Sequence, residues 1–255
     1  MKKNMFKAML YLVCIGLFIS PLLAMATNHK KDKPGTAIFV MCDTPCIMTT
    51  TKHIFKDSPI VSLDIKVPQL HGLSDKKFEK KLNKSFLRTA QDKAEDTIKN
   101  AEDYNKLSLE QQLPALKHEY LSNYTIIETV DPYFVIEFLE YAYSGGAHGL
   151  STQTYVTVDT LQNTIVTLQS LFKENSNYLN IINNEISRQI QERISTGEYF
   201  FTGTDGFSSI KIDQPFYINT NGDIVIVFNV YEIAPYAAGV IEFIIPQTLL
   251  ASDFK

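Results

Sequence analysis

The chain has 255 residues, 45% of them hydrophobic and 20% charged, with a formal net charge of −4. That length can bury a proper core, as one large domain or two small ones. The acidic balance argues against nucleic acid, whose phosphates demand Lys and Arg, and beyond the first 26 residues no run is long and uniform enough to cross a bilayer.

The chain opens on Lys2, Lys3 and Lys7, then the apolar run AMLYLVCIGLFI, then Pro21 and LLAMA. Ala24 and Ala26 give the small-x-small pattern that a signal peptidase reads. Residues 1–26 are therefore predicted to be a signal peptide, with an exported product, periplasmic or secreted. The apolar run also reaches about the length of a bilayer span, so an uncleaved anchor is the alternative. Cleavage removes three lysines and no acids, which moves the formal charge from −4 to −7. Residues 27–58 read as a linker and N-terminal segment. Within it Cys42 and Cys46, in MCDTPCIM, fit a small disulfide in an oxidising compartment. A redox motif would need a two-residue spacer, and a zinc site would need more ligands than His53.

From Ile60 to Val67 the residues Val61, Leu63, Ile65 and Val67 alternate with polar ones, which predicts a half-buried strand ended by Pro68. Ser74 is a good N-cap, with Asp75 in the first turn. Phe78, Leu82, Phe86, Ala90, Ala94 and Ile98 then recur every fourth position, predicting an amphipathic helix to about Asn100. Sheet residues dominate from His118. Tyr120–Val130, Tyr133–Tyr143 and Ser151–Asp159 form an antiparallel meander, turning at Asp131-Pro132 and at SGGAHG. The middle strand is apolar on both sides and is predicted to be covered on both faces.

A second unit starts near Leu168. Leu179, Ile182, Ile186, Ile190 and Ile194 mark a helix closed near Gly197. Ser209–Ile218 and Asp223–Val230 read as a hairpin around Asn219–Gly222. Val240–Ile245 reads as a third strand, followed by a short helix that Pro246 opens. The class is α+β: two subdomains, 59–167 and 168–255, each with a helix packed on an antiparallel sheet.

Two stretches carry candidate site residues. In YSGGAHGL (Tyr143–Leu150), Gly145, Gly146 and Gly149 free the backbone around His148. No helix start follows to cradle a phosphate. No second ligand stands in register for a metal, and no serine lies between the glycines as a nucleophile. A shaped turn with Tyr143, Gly145, Gly146 and His148 as contact residues is the simpler expectation. In NVYEIAPYAAG (Asn229–Gly239), Tyr231, Glu232 and Tyr236 cluster on a loop, and tyrosines there suit protein or sugar contact or cap the sheet end. Glu140 and Glu232 could form a hydrolase pair only if their separation allowed it. No catalytic residue, metal or cofactor is assigned.

Three motifs in order carry a resemblance: YAYSGGAHG, then VTVDTLQNTIVTLQSLF, then VFNVYEIAPYAAGVIEFIIP. Together they resemble the domain-of-unknown-function module of the RsiV-type lysozyme-sensing anti-sigma ectodomain, which also sits beside the catalytic domain of PdaC-type peptidoglycan deacetylases. The likeness runs from about Pro59 to the C-terminus. It implies an α+β binding module that binds lysozyme directly in the sensor. The chain shows neither the Asp/His metal motifs of a deacetylase nor a sigma-binding segment, so the expectation is a non-enzymatic envelope-binding module exported alone. Its expected partner is a lysozyme-like muramidase or peptidoglycan. A glycan-acting enzyme or a structural envelope protein is the alternative.

Overall fold

The computed structural model describes residues 47–255. The leader read at 1–26, the Cys42–Cys46 pair and most of the 27–58 segment lie outside the described residues. The end of that segment is a strand. Met48–Asp57 forms a strand, β1, that pairs antiparallel with β2 (Val61–His71). β1 is an edge strand and almost wholly exposed, so it carries none of the apolar alternation that marks a half-buried strand.

Val61, Leu63, Ile65 and Val67 are all buried on one face of β2, as their spacing predicts. Pro68 does not end the strand. It pairs in register with Thr51 of β1, while the ladder on the other side of β2 stops at Ile65. A residue without an N–H is tolerated where one side of the strand is already unpaired. Just beyond, the side chain of Asn83 imitates a strand: its Oδ1 accepts from Leu70 N and its Nδ2 donates to Leu70 O, both at 2.8 Å.

The helix α1 (Lys76–Gln111) is longer than expected and capped by a different residue. Asp75, not Ser74, is the N-cap, accepting from Lys77 N (2.7 Å) and Phe78 N (3.1 Å). The Ser74 hydroxyl instead accepts from Asn163 Nδ2 at 2.8 Å. The helix runs past Asn100 because small Ala101 and Ser108 continue its buried face, and it ends at Gln112 in the left-handed conformation.

β3 (His118–Ile127), β4 (Tyr133–Tyr143), β5 (Leu150–Asp159) and β6 (Thr164–Val166) complete a six-stranded sheet in the order β1-β2-β3-β4-β5-β6. All neighbours are antiparallel except β2 and β3, which are parallel. The first sheet is therefore mixed, not antiparallel. Parallel neighbours need a crossover that returns the chain to the starting end, and α1 supplies it. The helix packs on β2 through Ala90, Ala94 and Ala101, small enough for close approach. β4 is covered on both faces only at its start, where Val135 and Ile136 are buried, whereas Leu139 is exposed.

In the second half, Ile182, Ile186 and Ile190 of α2 (Tyr178–Ser195) pack on an antiparallel sheet of β7 (Phe216–Ile218), β8 (Ile224–Phe228) and β9 (Ile241–Ile245), in that order. β8 is buried at every residue. Leu179 and Ile194 are exposed, and Tyr178 takes the buried place at the helix start. The strand expected over Ser209–Ile218 shrinks to Phe216–Ile218. A short helix α3 (Gln247–Leu250) follows Pro246. Among the described residues no helix is long and apolar enough to cross a membrane.

One buried histidine gives the fold a pH dependence. His118 is 4% exposed, its ring lies 5.8 Å from that of Tyr104, and neither ring nitrogen has a hydrogen-bond partner among the described residues. Burial lowers its pKa. The unfolded chain thus binds the proton more readily than the folded one. His118 does not weaken the fold above the unfolded-state value of about 6.5. As pH falls from there toward the folded-state value, stability drops by up to about 1.4 kcal/mol per pH unit. Denaturant titrations between pH 7 and pH 5 should show this slope in the native chain and a flatter one in His118→Phe.

Candidate functional site

The turn between β4 and β5 is built from its glycines. Gly145 and Gly146 take φ of 113° and 95°, where a β-carbon is strained, and the Tyr143 hydroxyl donates to Gly146 O at 3.1 Å across the turn. Gly149 has ordinary φ but lies under the ring of Tyr141. A β-carbon there would stand 2.4 Å from the ring. His148, between them, is exposed, and its Nδ1 donates to Gly149 O at 2.8 Å. No carboxylate bonds this histidine among the described residues; its one bond is to a backbone carbonyl.

The loop between β8 and β9 is organised by Glu232. Its carboxylate accepts from Asn229 N (2.7 Å), Lys211 Nζ (2.6 Å) and Gln214 Nε2 (3.3 Å), while its own N–H donates to Asn229 O at 3.1 Å. This closes a tight turn with Tyr231 at its crest in the left-handed region, φ 68°. A bulky side chain is rarely found there, and the strain is of order 1–3 kcal/mol. Ile233 and Ala234 then enter the core. Pro235 opens one 3₁₀ turn over Tyr236–Ala238, and the chain leaves through Gly239 at φ 71°.

Asn229 joins the two stretches. Its Oδ1 accepts from Gln153 N at 2.6 Å and its Nδ2 donates to Gln153 O at 3.1 Å. β5 offers this edge because β6 pairs with it only from Thr157 onward. Held this way, the ring of Tyr236 lies 4.6 Å from that of His148 and 5.5 Å from that of Tyr231. The result is a small cluster of aromatic rings with Tyr231 51% and Tyr236 39% exposed. Two hollows of about 420 Å³ each border the loop, one lined by Tyr231, Glu232 and Lys211, the other by Arg193, Tyr199 and Pro235.

The candidate residues thus divide by what they do. His148, Tyr231 and Tyr236 present their rings. Tyr143, Gly145 and Gly146 shape the turn beneath them, and Glu232 faces inward to hold its own loop. Glu140 is bonded by the Tyr120 hydroxyl and lines a different cavity from Glu232, so the two carboxylates share no cleft. Sequence reasoning missed Asn229, Lys211 and Tyr141. Of these only Asn229 left a signal, as an amide at the exit of the apolar run IVIVF.

Residues 54–151 match the family described as Deacetylase PdaC, and residues 169–248 match that described as Protein of unknown function (DUF3298). The two matches follow one another along the chain, 54–151 and then 169–248. The aromatic cluster therefore forms where the turn closing the first match meets a loop within the second. Anti-sigma-V factor RsiV of Bacillus subtilis (strain 168) is 30% identical over 197 residues, covering 75% of this chain and 65% of RsiV. The chain thus spans just under two thirds of that relative's length. Two crystal structures of DUF3298 family proteins share the fold. One, from Bacteroides fragilis NCTC 9343, has a TM-score of 0.64 at 18% identity and covers 83% of this chain and 95% of its own. The other, from Pseudomonas aeruginosa PAO1, has a TM-score of 0.54 at 14% identity and covers 84% and 95%.

Proposed function

We propose that this PdaC–DUF3298 chain is an exported, non-enzymatic binding module of the cell envelope, and that it grips a lysozyme-like muramidase through Tyr231, Tyr236 and His148. The observation that carries this is the meeting of the two loops, with His148 and Tyr236 at 4.6 Å. Exposed tyrosines offer a broad apolar face and a hydroxyl at little entropic cost, which suits a contact surface. The relationship to RsiV, an anti-sigma factor, supports an envelope-related, non-catalytic role. The net charge of −4 favours a basic partner by steering.

The test is binding of the full chain to immobilised lysozyme at low and moderate salt. Binding is expected at both, weaker at the higher. No binding at either removes this partner. Co-sedimentation with purified peptidoglycan then asks whether the same tyrosines stack on sugar rings. For a glycan-acting enzyme, His148 or Glu232 would have to act as acid or base. The three donors on Glu232 commit its carboxylate to its own loop, which favours contact over catalysis there.

A further inference from the structure

We propose that the hollow between α1 and the first sheet binds a small amphipathic amine, with its ammonium group on Glu140 and its apolar body between the helix and the sheet. This site lies apart from the aromatic cluster and does not depend on the function proposed for it. The helix packs chiefly on β2, drawn close by its alanines. On the β4–β5 side that leaves a cavity of about 410 Å³. This is within the range of pockets that take small molecules.

The walls are apolar. Phe86 of α1 and Phe138 of β4 face each other with ring centroids 5.4 Å apart, and Val156 of β5 continues the surface. Against these stands one carboxylate, Glu140. Tyr120, itself buried, donates its hydroxyl to one Glu140 oxygen. Burial, and then the adjacent carboxylate, raise the Tyr120 pKa far above its ordinary value, so the phenol keeps its proton and remains a donor. Ser122, also buried, is the cross-strand partner of Glu140 and lines the same cavity.

Glu140 takes part in no ion pair among the described residues. A carboxylate has about four acceptor sites, and the phenol uses one. In apolar surroundings the remainder calls for a donor, best a cationic one. An anionic ligand would meet Glu140 as a like charge, and a purely apolar one would cover the carboxylate without a partner. Two lysines also line the cavity, Lys66 of β2 and Lys93 of α1, the latter one helical repeat beyond Phe86 on the same face; both are exposed, and they favour a ligand whose outer end is anionic.

Calorimetric titration of the full chain with hexylamine, hexanol and hexanoate tests this, because the three carry six carbons each and differ in the charge of the head group. Hexylamine is expected to bind at least tenfold tighter than either of the others. Glu140→Gln should erase that preference, and Thr154→Phe, which fills the cavity from the sheet side, should abolish binding with little change in the unfolding midpoint. Lysozyme binding should be unchanged in both variants, so failure here leaves the other proposal standing. Three results would overturn the amine site: no saturable hexylamine binding at millimolar concentration, hexanoate binding as tightly, or a preference that survives Glu140→Gln. Should Glu140→Gln fail to fold, the selectivity of the unaltered chain decides alone.

Discussion

Asn229→Asp is expected to detach the Asn229–Gly239 loop from the edge of β5 and to lower stability by about 2 kcal/mol. The substitution is nearly isosteric, so little packing changes. What changes is hydrogen bonding: the side chain can still accept from Gln153 N, but the donor to Gln153 O becomes an acceptor. Two oxygens then face each other, and one carries charge. For a chain of this size the midpoint should fall by roughly 4–8 °C. Asn229→Ala removes the bonds without the repulsion and should cost about half as much. Lysozyme binding should weaken in Asn229→Asp by about tenfold or more, because Tyr231 and Tyr236 lose the frame that holds them beside His148. A midpoint equal to that of the native chain would show that the amide holds nothing.

Tyr236→Ala is expected to act the other way round, with a large loss of binding and almost none of stability. Tyr236 touches both other rings of the cluster, at 4.6 and 5.5 Å, and is 39% exposed. Surface positions of this kind change stability by about 0.5 kcal/mol or less. A central tyrosine in a contact surface is worth about 2 kcal/mol, or roughly 30-fold in Kd. Tyr231→Ala should cost a similar amount of binding. Kd from biolayer interferometry, beside thermal midpoints for the same samples, separates the two quantities. An unchanged Kd for both variants would place the contact surface elsewhere.

Much of this architecture follows from local patterns. The alternation of Val61, Leu63, Ile65 and Val67 and the four-residue period of Ile182, Ile186 and Ile190 each mark one buried face, and burial is what a pattern of apolar residues records. The exceptions share a physical reason. β1 is an exposed edge held by backbone bonds, so its side chains carry no record of it. The end of α1 is buried through Ala101 and Ser108, too small or too polar to show in an apolar period. The parallel pairing of β2 with β3 is a property of the crossover and not of either strand. The candidate site shows the same division. The glycines and tyrosines point to two exposed loops, but their meeting depends on Asn229 and Gln153, and no local periodicity reports a pair so far apart in the chain.

Asn83 and Asn229 each use a side-chain amide where a neighbouring strand would otherwise supply a peptide. Such a pair of bonds can open without unpairing any strand. The Asn229–Gly239 loop can therefore part from β5 while both sheets keep their own ladders.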